Sequence, residues 1–156
     1  NQTPQPTPST TQSTTGLPDP NRVPKDQSEY YQITLPTGWK LTSEKPEPSA
    51  EDVYMYKDGS GKEFIVYVNM GPSDGFGSGS VEYKVANNKI TLDTDAILYC
   101  KAGDTYCDIG NNRLVVTAGS ATKINNNNYF LVFKDTKSES KESISVFKAL
   151  AESMQF

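Results

Sequence analysis

Histidine is absent from the 156-residue chain, and with it go the usual base of neutral pH and the commonest transition-metal ligand. Ser/His/Asp and Cys/His constellations are excluded on the same ground. Arginine is scarce, at Arg22 and Arg113 alone, and no Lys/Arg stripe accompanies the formal net charge of -4, so nucleic acid is not an expected partner. Apolar runs are short, well below the roughly 18 residues that a membrane-spanning helix requires. The chain opens on Asn1 with neither an initiating Met nor a hydrophobic signal core, and if it is exported its signal has been removed. Cysteine occurs only at Cys100 and Cys107.

Residues 1–29 combine Pro4, Pro6, Pro8, Pro18, Pro20 and Pro24 with a Ser/Thr/Gln stretch. Such a segment has little to bury against its ordering entropy and favours extended conformations, so it reads as a disordered spacer ahead of one domain at 30–156. The domain begins with YYQITLPTGWKL at Tyr30 to Leu41, where Tyr31, Ile33 and Leu35 share one side of an extended segment before the Pro36, Thr37, Gly38 turn.

Short apolar strands then recur. Val53–Lys57 and Lys62–Met70 form a hairpin around Asp58, Gly59, Ser60 and Gly61. In its second strand Phe64, Val66, Val68 and Met70 lie on one face and Ile65 and Tyr67 on the other, the pattern of a central strand covered by a helix on one side and partly covered on the other. Further hairpins are expected for Val81–Val85 with Lys89–Leu92 around Ala86, Asn87 and Asn88, and for Ala96–Cys100 with Thr105–Ile109 around Gly103 and Asp104. Arg113–Ala118 and Asn128–Lys134 complete the strands, with the intervening KINNNN suited to positive φ. The connections are of hairpin length, so antiparallel order is expected. After Lys134 the period changes: Ile144, Phe147, Leu150, Ala151 and Met154 form a helical stripe over Ser140 to Ser153, with Phe147 and Leu150 as its anchors on the sheet. Thr136 with Glu139 offers a capping box, and Ser138 and Ser140 compete as N-caps.

Chemistry-bearing residues are few. Cys100 and Cys107 would face each other across the third hairpin, within reach of a disulfide closing a short loop and contributing about 2 to 3 kcal/mol. Free structural thiols and a redox or metal pair are the weaker alternatives, since the spacing is not CxxC and zinc would lack ligands. A disulfide implies an oxidising compartment. Asp93, Asp95, Asp104 and Asp108 cluster in sequence but match neither the EF-hand spacing nor a fixed glycosidase pair, and read as solvated loop carboxylates. GPSDGFGSGS at Gly71 to Ser80 matches neither nucleotide fingerprint and reads as a connector, with Phe76 reaching to the core or outward to a ligand. The nine tyrosines suit cross-strand packing and, secondarily, recognition. Tyr54 and Tyr56, on one face of one strand, are the preferred exposed pair, giving Tyr54, Tyr56 and Phe76 as candidate binding residues. No catalytic residue, metal or cofactor is assigned.

ITLPTGWKL at Ile33 to Leu41, YFLVFK at Tyr129 to Lys134 and FKALAESMQF at Phe147 to Phe156 resemble the two ends of PsbP-like domains. The resemblance covers about a third of the domain and does not extend to the Cys100–Cys107 segment. It implies an α+β fold, an αβα sandwich built on a central antiparallel sheet with the C-terminal helix packed on it. The family includes photosystem extrinsic subunits, a nuclear import factor that binds Ran, and bacterial lipoproteins, mainly binding or assembly proteins with no shared catalytic constellation. The expectation is therefore an extracytoplasmic, monomeric binding or assembly module, secreted or tethered through an N-terminal lipid anchor preceding this chain, with a cell-envelope protein as partner. The rival is a hydrolase or lyase that uses carboxylates and tyrosines on an envelope substrate.

Overall fold

A computed structural model describes residues 22–23, 30–46, 52–69, 81–97, 99–101, 112–137 and 141–156. In chain order its strands are β1 (Arg22–Val23), β2 (Ile33–Thr34), β3 (Lys40–Pro46), β4 (Asp52–Lys57), β5 (Lys62–Val68), β6 (Val81–Glu82), β7 (Lys84–Ala86), β8 (Lys89–Thr91), β9 (Tyr99–Lys101), β10 (Leu114–Gly119) and β11 (Tyr129–Asp135). A 3-10 turn lies at Thr94–Ala96, and one helix, α1, spans Lys141–Glu152.

Seven strands make the main sheet, in the order β3-β4-β5-β11-β10-β6 with β9 also on β10. Because β11 takes one edge of β10, β9 and β6 share the other: β9 runs antiparallel along Leu114–Val116, and β6 runs parallel at Ala118 and Gly119. The remaining pairs are antiparallel, and the β4–β5 hairpin turns at Asp58–Gly61 as its sequence dictates. Asp58 organises that turn by accepting the Ser60 hydroxyl at 2.7 Å and the Ser60 and Lys62 backbone N–H groups, each at 2.9 Å. Gly61 has φ +100°, and a Cβ there would run into the Thr136 hydroxyl.

Strand alternation sorts the side chains into two faces. On one, Tyr54, Val66, Leu131 and Ala118 stand side by side in register, and Tyr56, Phe64, Phe133 and Val116 form the next row; all eight are buried. Onto these rows α1 lays the stripe read from its sequence: the Phe147 ring centroid is 6.0 Å from that of Phe64 and 5.7 Å from that of Phe133. Leu150, Ala151 and Met154 continue the contact and are fully buried. The β7–β8 hairpin and the 3-10 turn pack against α1. Lys148 and Glu152 fasten them, with Lys148 donating to Leu92 O and Glu152 accepting the Leu92 N–H at 3.1 Å. The α+β class and the helix on the sheet agree with expectation. One helical layer of the implied αβα sandwich lies among the described residues.

Several local expectations need correction. Val81–Glu82 leaves the second hairpin to pair with β10, and the hairpin that remains, β7–β8, turns on Asn87 and Asn88 at φ 51° and 55°. Ala96 belongs to the 3-10 turn, because the Asp93 carboxylate accepts the Asp95 N–H at 3.1 Å and curls the chain there. Tyr99–Lys101 pairs with β10, placing Cys100 opposite Val115. Its expected partner segment at 105–109 lies outside the described residues. The described part of the helix begins at Lys141, five positions after Thr136, whose N–H donates to Gly61 O at 3.4 Å while Asp135 accepts the Lys137 N–H; the other expected capping residues, Ser138, Glu139 and Ser140, lie outside the described residues. Within the expected spacer, Arg22–Val23 pairs with Ile33–Thr34, and the Arg22 guanidinium donates to the side-chain oxygens of Gln32 and Gln155. The asparagine turn behaves as its composition requires, with Asn125 and Asn126 at φ 49° and 66°.

Candidate functional site

Tyr54 and Tyr56 do share one face of β4, but it is the helix-covered face. Their exposures are 4% and 0%, which overturns the expectation of an exposed pair. Tyr54 stands edge-on to Tyr31, with ring centroids 5.7 Å apart, and to Tyr30 at 6.4 Å. The Tyr56 hydroxyl lies 2.8 Å from the Tyr31 hydroxyl. These rings bury more apolar area than Val53 and Met55 on the other side of the strand, and the fold places the larger area inside. Phe76 lies outside the described residues, as do Cys107, Asp104 and Asp108. Cys100 is described in backbone only, so the expected disulfide also falls outside. Asp93 and Asp95 are exposed, and Asp93 is engaged as the cap of the 3-10 turn. Among the described residues no three His, Cys, Asp or Glu side chains converge to hold a metal ion, and no helix is long and apolar enough to cross a membrane.

Around Tyr31 the aromatic cluster continues to Tyr129 and Phe156, whose rings are 4.7 Å apart, while the Tyr83 hydroxyl donates to Tyr129 O at 2.6 Å. Burial, then the neighbouring Tyr56, hold the Tyr31 hydroxyl well above the ordinary phenol range, and burial does the same for Tyr83. Burial pushes Tyr129 up to about 12; the Asn127 side chain draws it partly back without reaching hydrogen-bond geometry. A phenol raised in this way stays protonated at neutral pH and is unsuited to act as a base.

A polar cluster that the sequence did not announce joins β11 to α1. The Asp135 carboxylate accepts the Ser143 hydroxyl at 2.6 Å and the Lys137 N–H at 2.8 Å, and the Lys62 ammonium lies 3.9 Å away. Ser, Asp and Lys in one cluster invite a nucleophile reading. Yet Asp135 and Ser143 are 0% and 1% exposed, so a substrate carbonyl cannot approach the hydroxyl. Their role is to fix where the helix leaves the sheet. A charged residue closing an apolar strand, followed eight positions later by Ser on the buried stripe, is the only trace of this cluster in the sequence.

The second face of the sheet is built differently. Val53, Tyr67 and Phe130 align in one row; Met55, Ile65, Val132 and Thr117 in the next; and Lys57, Glu63, Lys134 and Val115 in the third, with Lys40 opposite Lys57 on the edge strand. Ile65 and Val132 at its centre are buried, whereas Val53, Met55, Tyr67, Phe130, Val115 and Thr117 are half-buried. The geometry is that of a face closed to solvent at its centre, with half-buried apolar side chains around it and the row Lys40, Lys57, Glu63 and Lys134 along one side. No family model, curated protein or solved structure matches the chain, so the likeness to PsbP-like domains rests on the two end segments alone.

Proposed function

We propose that the chain is an extracytoplasmic, surface-tethered binding or assembly module of the cell envelope and not an enzyme. One observation carries this reading. Among the described residues Ser143, Asp135 and the hydroxyls of Tyr31, Tyr56, Tyr83 and Tyr129 are enclosed in the core and the exposed Asp93 is spent as the cap of the 3-10 turn, while the second sheet face sets half-buried apolar side chains and a row of lysines around a buried centre, Ile65 and Val132. Enclosed groups cannot meet a substrate, whereas half-buried apolar side chains with a polar border have the composition of a contact surface. The Pro/Ser/Thr-rich segment at 1–21 and the Cys100, Cys107 pair support the extracytoplasmic part, and the resemblance to PsbP-like lipoproteins agrees with a binding role.

Immobilised full-length chain exposed to solubilised envelope from the source cell tests the reading. Saturable retention of one protein, reproduced with that protein purified, supports it. Turnover of a glycan or ester substrate that Asp93→Asn abolishes, with no protein retained, overturns it. An Asn side chain can still accept the Asp95 N–H, so this variant keeps the cap and reads chemistry rather than folding.

A further inference from the structure

We propose that the basic end of the second sheet face docks an acidic segment of a partner protein, one that presents carboxylates beside apolar side chains. The inference rests on the binding reading above and names the class of partner.

Lys40 is the direct cross-strand neighbour of Lys57, Lys57 of Glu63, and Glu63 of Lys134, so three ammonium groups and one carboxylate form a row across β3, β4, β5 and β11. With strands about 4.8 Å apart, Lys57 lies one step from Lys40 and two steps, about 10 Å, from Lys134. Like charges placed directly opposite each other destabilise a sheet, and the only carboxylate in the row is already engaged: Lys57 and Glu63 are 3.1 Å apart. Lys40 and Lys134 make no ion pair among the described residues.

Protection of a sheet edge against pairing accounts for Lys40, which lies on the outermost strand. It does not account for Lys134. That residue lies on β11, with neighbours on both sides, is half-buried, and shares the single carboxylate of the row, Glu63, with Lys57, which alone makes the ion pair. A docked carboxylate near Lys134, and another near Lys40, would supply the missing countercharges. In the adjoining row Met55 and Thr117 are half-buried and offer such a segment apolar contact beside the charges, while Ile65 and Val132 between them are already closed to solvent.

The rest of the molecule limits the length of the anion. With a net charge of -4 and a sequence pI near 4.8, the chain as a whole repels polyanions, so a long nucleic acid or an anionic membrane meets like charge wherever it extends beyond the row. A short acidic protein segment does not.

The test uses the full chain and follows fluorescence of Trp39, the only tryptophan and the chain neighbour of Lys40. The probes are a synthetic peptide of Glu interleaved with Leu, the same peptide with Gln for Glu, an oligothymidylate, and phosphatidylglycerol vesicles. The Glu peptide should saturate, weaken as salt rises from about 20 to 200 mM, and lose at least about tenfold in affinity in Lys40→Glu/Lys134→Glu. Lys84→Glu/Lys89→Glu, exposed on the β7–β8 hairpin, should bind as the parent does. If the charge-reversed chain fails to fold, Lys40→Gln/Lys134→Gln replaces it, with a smaller loss in the same direction. Equal binding of the Gln peptide, or indifference to substitution at positions 40 and 134, overturns the proposal. Tighter binding of the oligonucleotide or the vesicles overturns the choice of a protein partner. Retention of an envelope protein that is unchanged by Lys40→Glu/Lys134→Glu would sink this inference and leave the binding reading standing.

Discussion

The two faces of one sheet, built from alternate residues of the same strands, differ in how far they are enclosed: the helix side is buried throughout its two central rows, the other only at its centre, Ile65 and Val132. On β4, Tyr54 and Tyr56 point into a core closed by α1, while Val53 and Met55 stay half-buried on the other side; on β11, Leu131 and Phe133 contrast in the same way with Phe130 and Lys134. The difference teaches where the fold's stability resides and where its surface is available for contact. Aromatic and aliphatic side chains fill the helix side without a charged group in its two central rows. The second face accepts three lysines in its border row, which a close-packed interior would tolerate only with full pairing.

The strongest way to sharpen the contrast is to open the covered side. Phe147→Ala removes the ring held between Phe64 and Phe133 and should cost about 3 to 5 kcal/mol in a denaturant titration. A loss below about 1 kcal/mol would mean that α1 does not close the core. Next comes the hinge between sheet and helix. Asp135→Ala strips the Ser143 hydroxyl and the Lys137 N–H of their acceptor and should cost about 2 to 3 kcal/mol, with the first turns of α1 losing amide protection before the centre of the sheet.

Alkali probes the same side without a mutation. The folded-state pKa values of Tyr31, Tyr83 and Tyr129 lie above the ordinary 10.0, so the stability they contribute is complete below pH 10 and is lost as pH rises beyond it, toward about 12 for Tyr129. Phenolate absorbance should therefore appear in two stages, with these three tyrosines ionising only as the chain unfolds. A single stage near pH 10 with the fold intact would show the cluster to be solvated. The smallest effect belongs to the other face: Met55→Gln should shift stability by no more than about 1 kcal/mol, as expected for a half-buried position whose neighbours can adjust.

The sequence carried the elements whose signal is local. Alternation through Phe64, Val66 and Val68 marks β5 as a central strand, the 3.6-residue stripe ending at Met154 marks α1, and consecutive asparagines mark turns that need positive φ. It did not carry the choice of side. Period-two alternation assigns Tyr54 with Tyr56 and Val53 with Met55 to opposite faces but is symmetric between them, and only the docking of α1 decides which pair is enclosed. Partner choice was illegible for a related reason. Hairpin reasoning looks for the partner of Tyr99–Lys101 at 105–109, which lies outside the described residues, and gives no sign that the strand also lies along the edge of β10. The row Lys40, Lys57, Glu63, Lys134 is scattered over 95 positions, from 40 to 134 counted inclusively, and exists only once three strand registers are fixed.

The central claim, that one face is interior and the other is a surface for contact, is tested most directly by the rate at which two methionines oxidise. Met55 lies half-buried on the second face and Met154 is fully buried against the core. Dilute peroxide followed by peptide mass analysis should convert Met55 to its sulfoxide while Met154 stays reduced until the chain unfolds, and a bound envelope partner should slow Met55 alone. Equal rates at the two sites, or a bound partner that leaves Met55 as reactive as before, would contradict the account.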